Sequence, residues 1–151
     1  MSDATPDVRL IRGPLQSLDP SESWPGGDGA GAVVVFEGVV RSREGDGTIE
    51  ALDYAVYLPM TERHLRRLAL DVGGAFSLIA LAVEHSVGRV AVGETSFRLR
   101  VAAAHRREAL DATDTFIERM KRDVPIWKTP VWRENSHSAW ARSASAGTGT
   151  A

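Results

Sequence analysis

Cysteine is missing altogether from the 151 residues. That absence excludes a disulfide framework, a thiolate-ligated zinc or iron–sulfur site, and any reaction in which a thiol of this chain is the nucleophile or carries a persulfide. If sulfur chemistry takes place here, another molecule supplies the sulfur. No apolar run approaches the ~20 residues of a membrane-spanning helix. The segment from Met1 to Asp7 is polar and lacks the basic and apolar regions of a secretory signal, so a cytoplasmic protein is expected. Net charge is also scarce. At −2 it offers no bulk attraction to nucleic acid or anionic lipid, and any anion recognition must come from a local cluster of Lys and Arg. No internal repeat is visible.

What remains is ordinary globular material, 43% apolar and 25% charged, in a length that suits one domain. Residues 1–134 are expected to form that domain. Residues 135–151, rich in Ser, Ala, Gly and Thr, read as a flexible tail. Residues 8–11 suggest an edge strand before the Gly13-Pro14 turn, and residues 17–30 a loop with at most one helical turn. Residues 31–41 (GAVVVFEGVVR) are β-branched and nearly continuously apolar, which predicts a central strand buried on both faces. A polar loop at residues 42–47 precedes a strand over residues 48–57. Pro59 then opens a helix with Leu65, Leu68, Ala69 and Val72 on one face, ended by Gly73-Gly74. Residues 78–87 predict a strand and residues 88–93 a connection bracketed by glycines. Strict alternation over residues 94–103 predicts a half-buried strand. Ala109, Ala112, Phe116 and Met120 mark the inner face of a second helix over residues 105–122. Pro125 stops that helix and opens a short strand, residues 126–132. The order predicts an α+β domain: a largely antiparallel sheet with helices packed on one side.

Several basic residues stand where pattern alone does not make them bland. His105 and Arg106 open the second helix beside its apolar arc. The unpaired N–H groups and positive dipole end of a first helical turn, with a His and an Arg added, make a site suited to phosphate. An Arg that snorkels or pairs with a carboxylate fits the pattern too. Lys121 lies on the border of the apolar stripe, and Lys128 follows Pro125, Ile126 and Trp127. An amine flanked by apolar groups and a second ammonium holds its charge less readily, which suits it to act as acid, base or nucleophile; a solvated surface lysine is the alternative. Arg41 ends the apolar run after Gly38, either as a fork for phosphate or carboxylate or as a surface ion-pair partner.

In order along the chain, FEGVVR (Phe36 to Arg41), LDYAVYLPM (Leu52 to Met60), HSVGRVAVGE (His85 to Glu94), AAHRREAL (Ala103 to Leu110) and MKRDVPIWK (Met120 to Lys128) resemble the large, catalytic subunit of molybdopterin synthase. The resemblance covers residues 31–132. Its discriminating part is a His-Arg pair opening a helix whose far end gives Lys and then Pro-x-Trp-Lys. It implies conversion of cyclic pyranopterin monophosphate to molybdopterin, the dithiolene-bearing pterin of the molybdenum cofactor. Each sulfur would come from the C-terminal Gly-Gly thiocarboxylate of a ubiquitin-like small subunit. It further implies a heterotetramer built on a central homodimer, and no resident cofactor or metal. This chain ends in Gly-Thr-Gly-Thr-Ala and so is not itself the carrier.

Carried over by position, the resemblance makes Lys121 the essential lysine and Lys128 the second active-site lysine. His105 and Arg106 become the pair that holds the phosphate, and Val39, Val40 and Arg41 the strand end lining the same pocket; some of these residues would be lent by the neighbouring subunit. Thr129 and Pro130 are expected to contact substrate at the end of the lysine segment, where relatives continue with a basic and then an acidic residue. Ser42-Arg43-Glu44 stand where relatives often place asparagine. The competing reading is a noncatalytic paralogue that binds the carrier or a phosphorylated pterin. Nucleic acid and membrane are not expected partners.

Overall fold

The computed structural model describes residues 5–22, 24 and 27–134; the tail expected over 135–151 lies outside the described residues. The elements run β1 (Asp7–Arg12), a 3-10 turn (Gly27–Gly29), β2 (Ala32–Val39), β3 (Arg43–Glu44), β4 (Gly47–Val56), α1 (Met60–Ala75), β5 (Ala80–Ala91), β6 (Thr95–Ala103), α2 (Arg106–Asp123) and β7 (Ile126–Trp132). The seven strands form one sheet in the order β2-β6-β5-β4-β3, with β1 added to β5 and β7 to β4. All pairings are antiparallel except β1 with β5. Both helices pack on one side, with the main core between them and the odd-numbered side chains Phe97, Leu99, Val101 and Ala103 of β6. The α+β expectation, with a largely antiparallel sheet and its helices on one side, therefore holds.

Four local expectations change. The run at residues 31–41 is not a central strand. Among the described residues β2 pairs only with β6, and Val33, Val35 and Val39 on its outer face are 56%, 46% and 55% exposed. A continuous apolar run has the same composition whether its second face meets its own core or is left for another molecule. Conversely β6 is not half-buried: its polar face is covered too, and Arg98 is only 3% exposed. There Arg98 donates to Glu84, Glu37 and the Gln16 carbonyl, and the Arg100 guanidinium lies over the Trp24 ring. Gln16 and Trp24 thus lie on the sheet's second face.

Gly73-Gly74 do not end α1, which continues to Ala75. The left-handed residue that closes the helix is Ser77, at φ 50°, and Leu78 N–H donates back to the Gly73 carbonyl. The stretch 88–93 is mostly strand, because β5 extends to Ala91. At Gly88 (φ 84°) it changes partner, from Val87 beside Arg12 to Gly88 beside Tyr54; only Gly93 turns the chain.

Candidate active site

At one end of the sheet the β2 terminus, β4, β7 and the last turns of α2 surround a hollow of about 750 Å³. Its parts arrive from distant stretches of sequence. The bulge after Gly38 turns β2 so that Val39, Val40 and Arg41 reach the hollow, Val40 fully buried and Arg41 exposed at the rim. Gly38 is close to Phe97: an added Cβ would stand 3.3 Å from the Phe97 Cβ. From α2 come Ile117, Met120 and Lys121, one turn apart on the border of the buried face. From β7 come Ile126 and Lys128, which the pleat points the same way.

The three cations Arg41, Lys121 and Lys128 therefore share one hollow, all on its solvent side. Lys128 Nζ lies 3.1 Å from a Glu44 carboxylate oxygen, with its side chain 54% exposed. Neither amine is buried in apolar surroundings, contrary to the environment expected from their neighbours. What they offer is placed positive charge and movable N–H donors.

His105 and Arg106 do not join them in this chain. His105 caps α2 with extended backbone, both side chains are exposed, and neither lines the hollow. The reason is helical geometry: Lys121 follows Arg106 by about four turns, roughly 22 Å along a straight helix. The first turn also carries Glu108, whose carboxylate partly neutralises the dipole end that suggested a phosphate site. Thr129 and Pro130 are likewise outside the lining. They pair with Asp53 and Leu52 in β4, and the pleat turns Thr129 away from the Lys128 face. Pro130 is accommodated because, among the described residues, β7 pairs with β4 alone.

The floor contains residues that the sequence reading did not single out. His85 and Ser96 are each 5% exposed. Nδ1 of His85 is 2.8 Å from the Ser86 carbonyl, and burial lowers its pKa below the ordinary histidine value against that hydrogen bond. The Tyr54 ring stands edge-on to His85 at 5.1 Å, and Phe97 lies 5.9 Å away on another side. The Tyr54 hydroxyl donates to Ser96 Oγ at 3.0 Å, and Ser96 Oγ donates to the Gly38 carbonyl at 3.4 Å. A polar residue on the core-facing side of an otherwise apolar strand was the available signal for His85.

No helix among the described residues is long and apolar enough to cross a membrane. Residues 15–123 match the family described as MoaE protein. Over 113 residues the chain is 37% identical to the molybdopterin synthase catalytic subunit of Arabidopsis thaliana, an alignment covering 71% of this chain and 57% of that one. Identity to the catalytic subunit of Staphylococcus aureus (strain N315) is 33% over 106 residues, covering 70% and 72%. The chain thus spans little more than half the length of its plant and mammalian relatives. Among solved structures, the molybdopterin synthase of Staphylococcus aureus superposes with a TM-score of 0.70 at 28% identity, over 83% of this chain and 90% of that one. A complex of subunits 1 and 2 of molybdopterin-converting factor from Helicobacter pylori shares the fold, with a TM-score of 0.62 at 23% identity over 84% and 90%. With most of its length matched in sequence and its sheet and helices superposed, this chain belongs to the MoaE family.

Proposed function

We propose that the chain is the catalytic subunit of a molybdopterin synthase, transferring sulfur from a thiocarboxylated, ubiquitin-like small subunit to cyclic pyranopterin monophosphate in the cytoplasm. The observation that carries this reading is the meeting of Arg41, Lys121 and Lys128 around one hollow, in a chain of this family that has no thiol of its own. Three cations suit a site that must hold a phosphate and a thiocarboxylate together, and the buried aromatic floor suits a flat heterocycle. Lys121 and Lys128 are assigned as catalytic, placing the attacking sulfur and moving protons as the cyclic phosphate opens. Orientation and charge supply most of the acceleration, with acid–base help of about 10²–10⁴-fold.

Val39, Val40 and Arg41 form the substrate-binding wall. His105 and Arg106 are assigned to the phosphate of the pocket in a second copy. The head and tail of α2 cannot meet within one chain, but β2 runs beside α2 and, among the described residues, its outer edge is unpaired. Two β2 edges joined antiparallel about a two-fold axis would carry each His105 towards the other copy's Arg41, since β2 and the α2 separation are alike in length, roughly 24 Å for the strand. Thr129 and Pro130, expected to contact substrate, lie outside the lining of the hollow and are reassigned to contact with the small subunit's tail.

The test is direct. Purified protein incubated with thiocarboxylated carrier and the cyclic precursor is expected to yield a dithiolene pterin, and Lys121→Ala to abolish it while carrier binding persists. Carrier or pterin binding without product in the unmodified protein would favour the noncatalytic paralogue; full turnover by Lys121→Ala would remove the assignment of that lysine.

A further inference from the structure

The floor of the hollow differs chemically from its rim. The rim is cationic and solvated. The floor is buried, uncharged and aromatic, and the donor hydrogens of its side chains are already committed. The Tyr54 hydroxyl gives its hydrogen to Ser96, and Ser96 gives its own to the Gly38 carbonyl. The Nδ1–H of His85 goes to the Ser86 carbonyl. In a neutral imidazole that assignment leaves Nε2 as a lone-pair acceptor. No described residue bonds Nε2. Yet it is not among the sealed, unpartnered polar atoms of the described residues, which are Ser86 Oγ, Arg98 Nε and Glu108 Oε2; it therefore keeps some access, and the hollow is the space that His85 lines.

His85 Nε2, the Tyr54 phenolic oxygen and one lone pair of Ser96 Oγ then remain with accepting capacity, in a setting that offers an incoming molecule no donor from these side chains. A phosphate or carboxylate is rejected by such a surface, because its oxygens would face lone pairs away from water. A heterocycle edge carrying N–H groups is accepted. The ring is also held fast: Tyr54 stands edge-on at one side, Phe97 at another, and the Ser86 bond fixes the tautomer. Its direction is set before anything binds.

We propose that His85 is a specificity-determining residue of the hollow, its Nε2 accepting a hydrogen bond from the N–H edge of the substrate's ring system while the phosphate stays at the cationic rim. This deepens the sulfur-transfer reading and rests on it. It assigns the pocket an orientation: donor edge inward on His85 and Tyr54, anion outward on Arg41, Lys121 and Lys128.

The experiment compares binding of the cyclic pterin phosphate, by calorimetry, to the unmodified protein, His85→Phe and His85→Gln, with inorganic pyrophosphate as a second ligand. His85→Phe keeps a flat ring among Tyr54 and Phe97 but removes the acceptor; His85→Gln can return an acceptor oxygen near the place of Nε2. The expected result is pterin affinity weakened about 10- to 100-fold in His85→Phe and partly recovered in His85→Gln, with pyrophosphate binding unchanged in both. Far-ultraviolet circular dichroism of each variant confirms the fold, and the recovery in His85→Gln is a result that a merely damaged structure would not give. Unaltered pterin affinity in His85→Phe, or equal loss in both variants, overturns the assignment alone. Failure of the unmodified protein to bind the pterin at all overturns the sulfur-transfer reading and this assignment with it.

Discussion

His85 couples the site to stability as well as to recognition. Its pKa in the folded protein is lowered chiefly by burial, opposed by the bond to the Ser86 carbonyl. The unfolded chain takes up a proton near the ordinary value of about 6.5, whereas the folded chain resists until a lower pH. Between those two points the unfolded state binds more protons, so its share of the equilibrium grows as pH falls. The contribution is therefore complete above about pH 6.5 and is lost on acidification through the lower, folded value. Thermal midpoints measured at pH 7.5 and 5 are expected to fall for the unmodified protein and to fall less for His85→Phe; parallel curves would show that the buried ring does not titrate with unfolding. On the rim, Glu44 places one negative charge beside Lys128. Removing it in Glu44→Gln is expected to tighten pyrophosphate binding about 2- to 5-fold, the range of an exposed pair, and weaker binding would mean that Glu44 holds Lys128 in its working position. These side chains also mark what sequence could reveal of the site. Arg41, Lys121 and Lys128 are polar residues in apolar company, a departure visible in pattern. His85, Tyr54 and Ser96 became a floor only when β4, β5 and β6 were laid side by side, and no local pattern encodes that pairing.

Among the elements, both helices were legible because the 3.6-residue period survives whatever packs on the face: Leu65, Leu68, Ala69 and Val72, and then Ala109, Ala112, Phe116 and Met120, are all buried. The strands were harder to read, since composition does not say which neighbour covers which face. β6 illustrates the point, with an alternating sequence that predicts a wet face where Arg98 is in fact enclosed. That arginine is enclosed with Glu84, itself only 14% exposed, and replacing Arg98 leaves Glu84 with only the longer contact to Arg100 at 3.8 Å. Arg98→Leu is expected to cost about 3–5 kcal/mol in chemical denaturation, and Arg98→Leu combined with Glu84→Leu clearly less than the sum of the two single changes. Additive losses would mean that the pair is not coupled. At the other end of the same ladder Gly31 enters β2 with its N–H on the Ala103 carbonyl, and an added Cβ would collide with the backbone oxygen of Ala104. Gly31→Ala is expected to destabilise by about 1–3 kcal/mol, because a backbone atom cannot swing aside as a side chain can.

For the whole molecule, the edge of β2 away from β6, unpaired among the described residues, is the feature that the fold leaves unfinished. Its outer valines would invite unwanted association in a monomer, and the cations assigned to one site by position, His105 and Arg106 against Lys121, lie at opposite ends of α2, which packs on β2. The two-fold pairing proposed for these edges would answer both points, covering Val33 and Val35 and building each pocket from the tail of one α2 and the head of the other. Val35→Lys is accordingly expected to shift the protein towards monomer in sedimentation and to lower turnover with it. Arg106→Ala and Lys121→Ala are each expected to be nearly inactive as pure dimers, since every pocket then lacks one group. In a mixed dimer the two lesions fall into the same pocket, and the second pocket receives an intact Lys121 from one copy and an intact Arg106 from the other. Equal mixing after dissociation should therefore restore about a quarter of the unmodified turnover, because half of the dimers are mixed and each has one whole site. If Arg106 instead served the pocket of its own chain, both lesions would remain in separate pockets, and mixing would recover nothing.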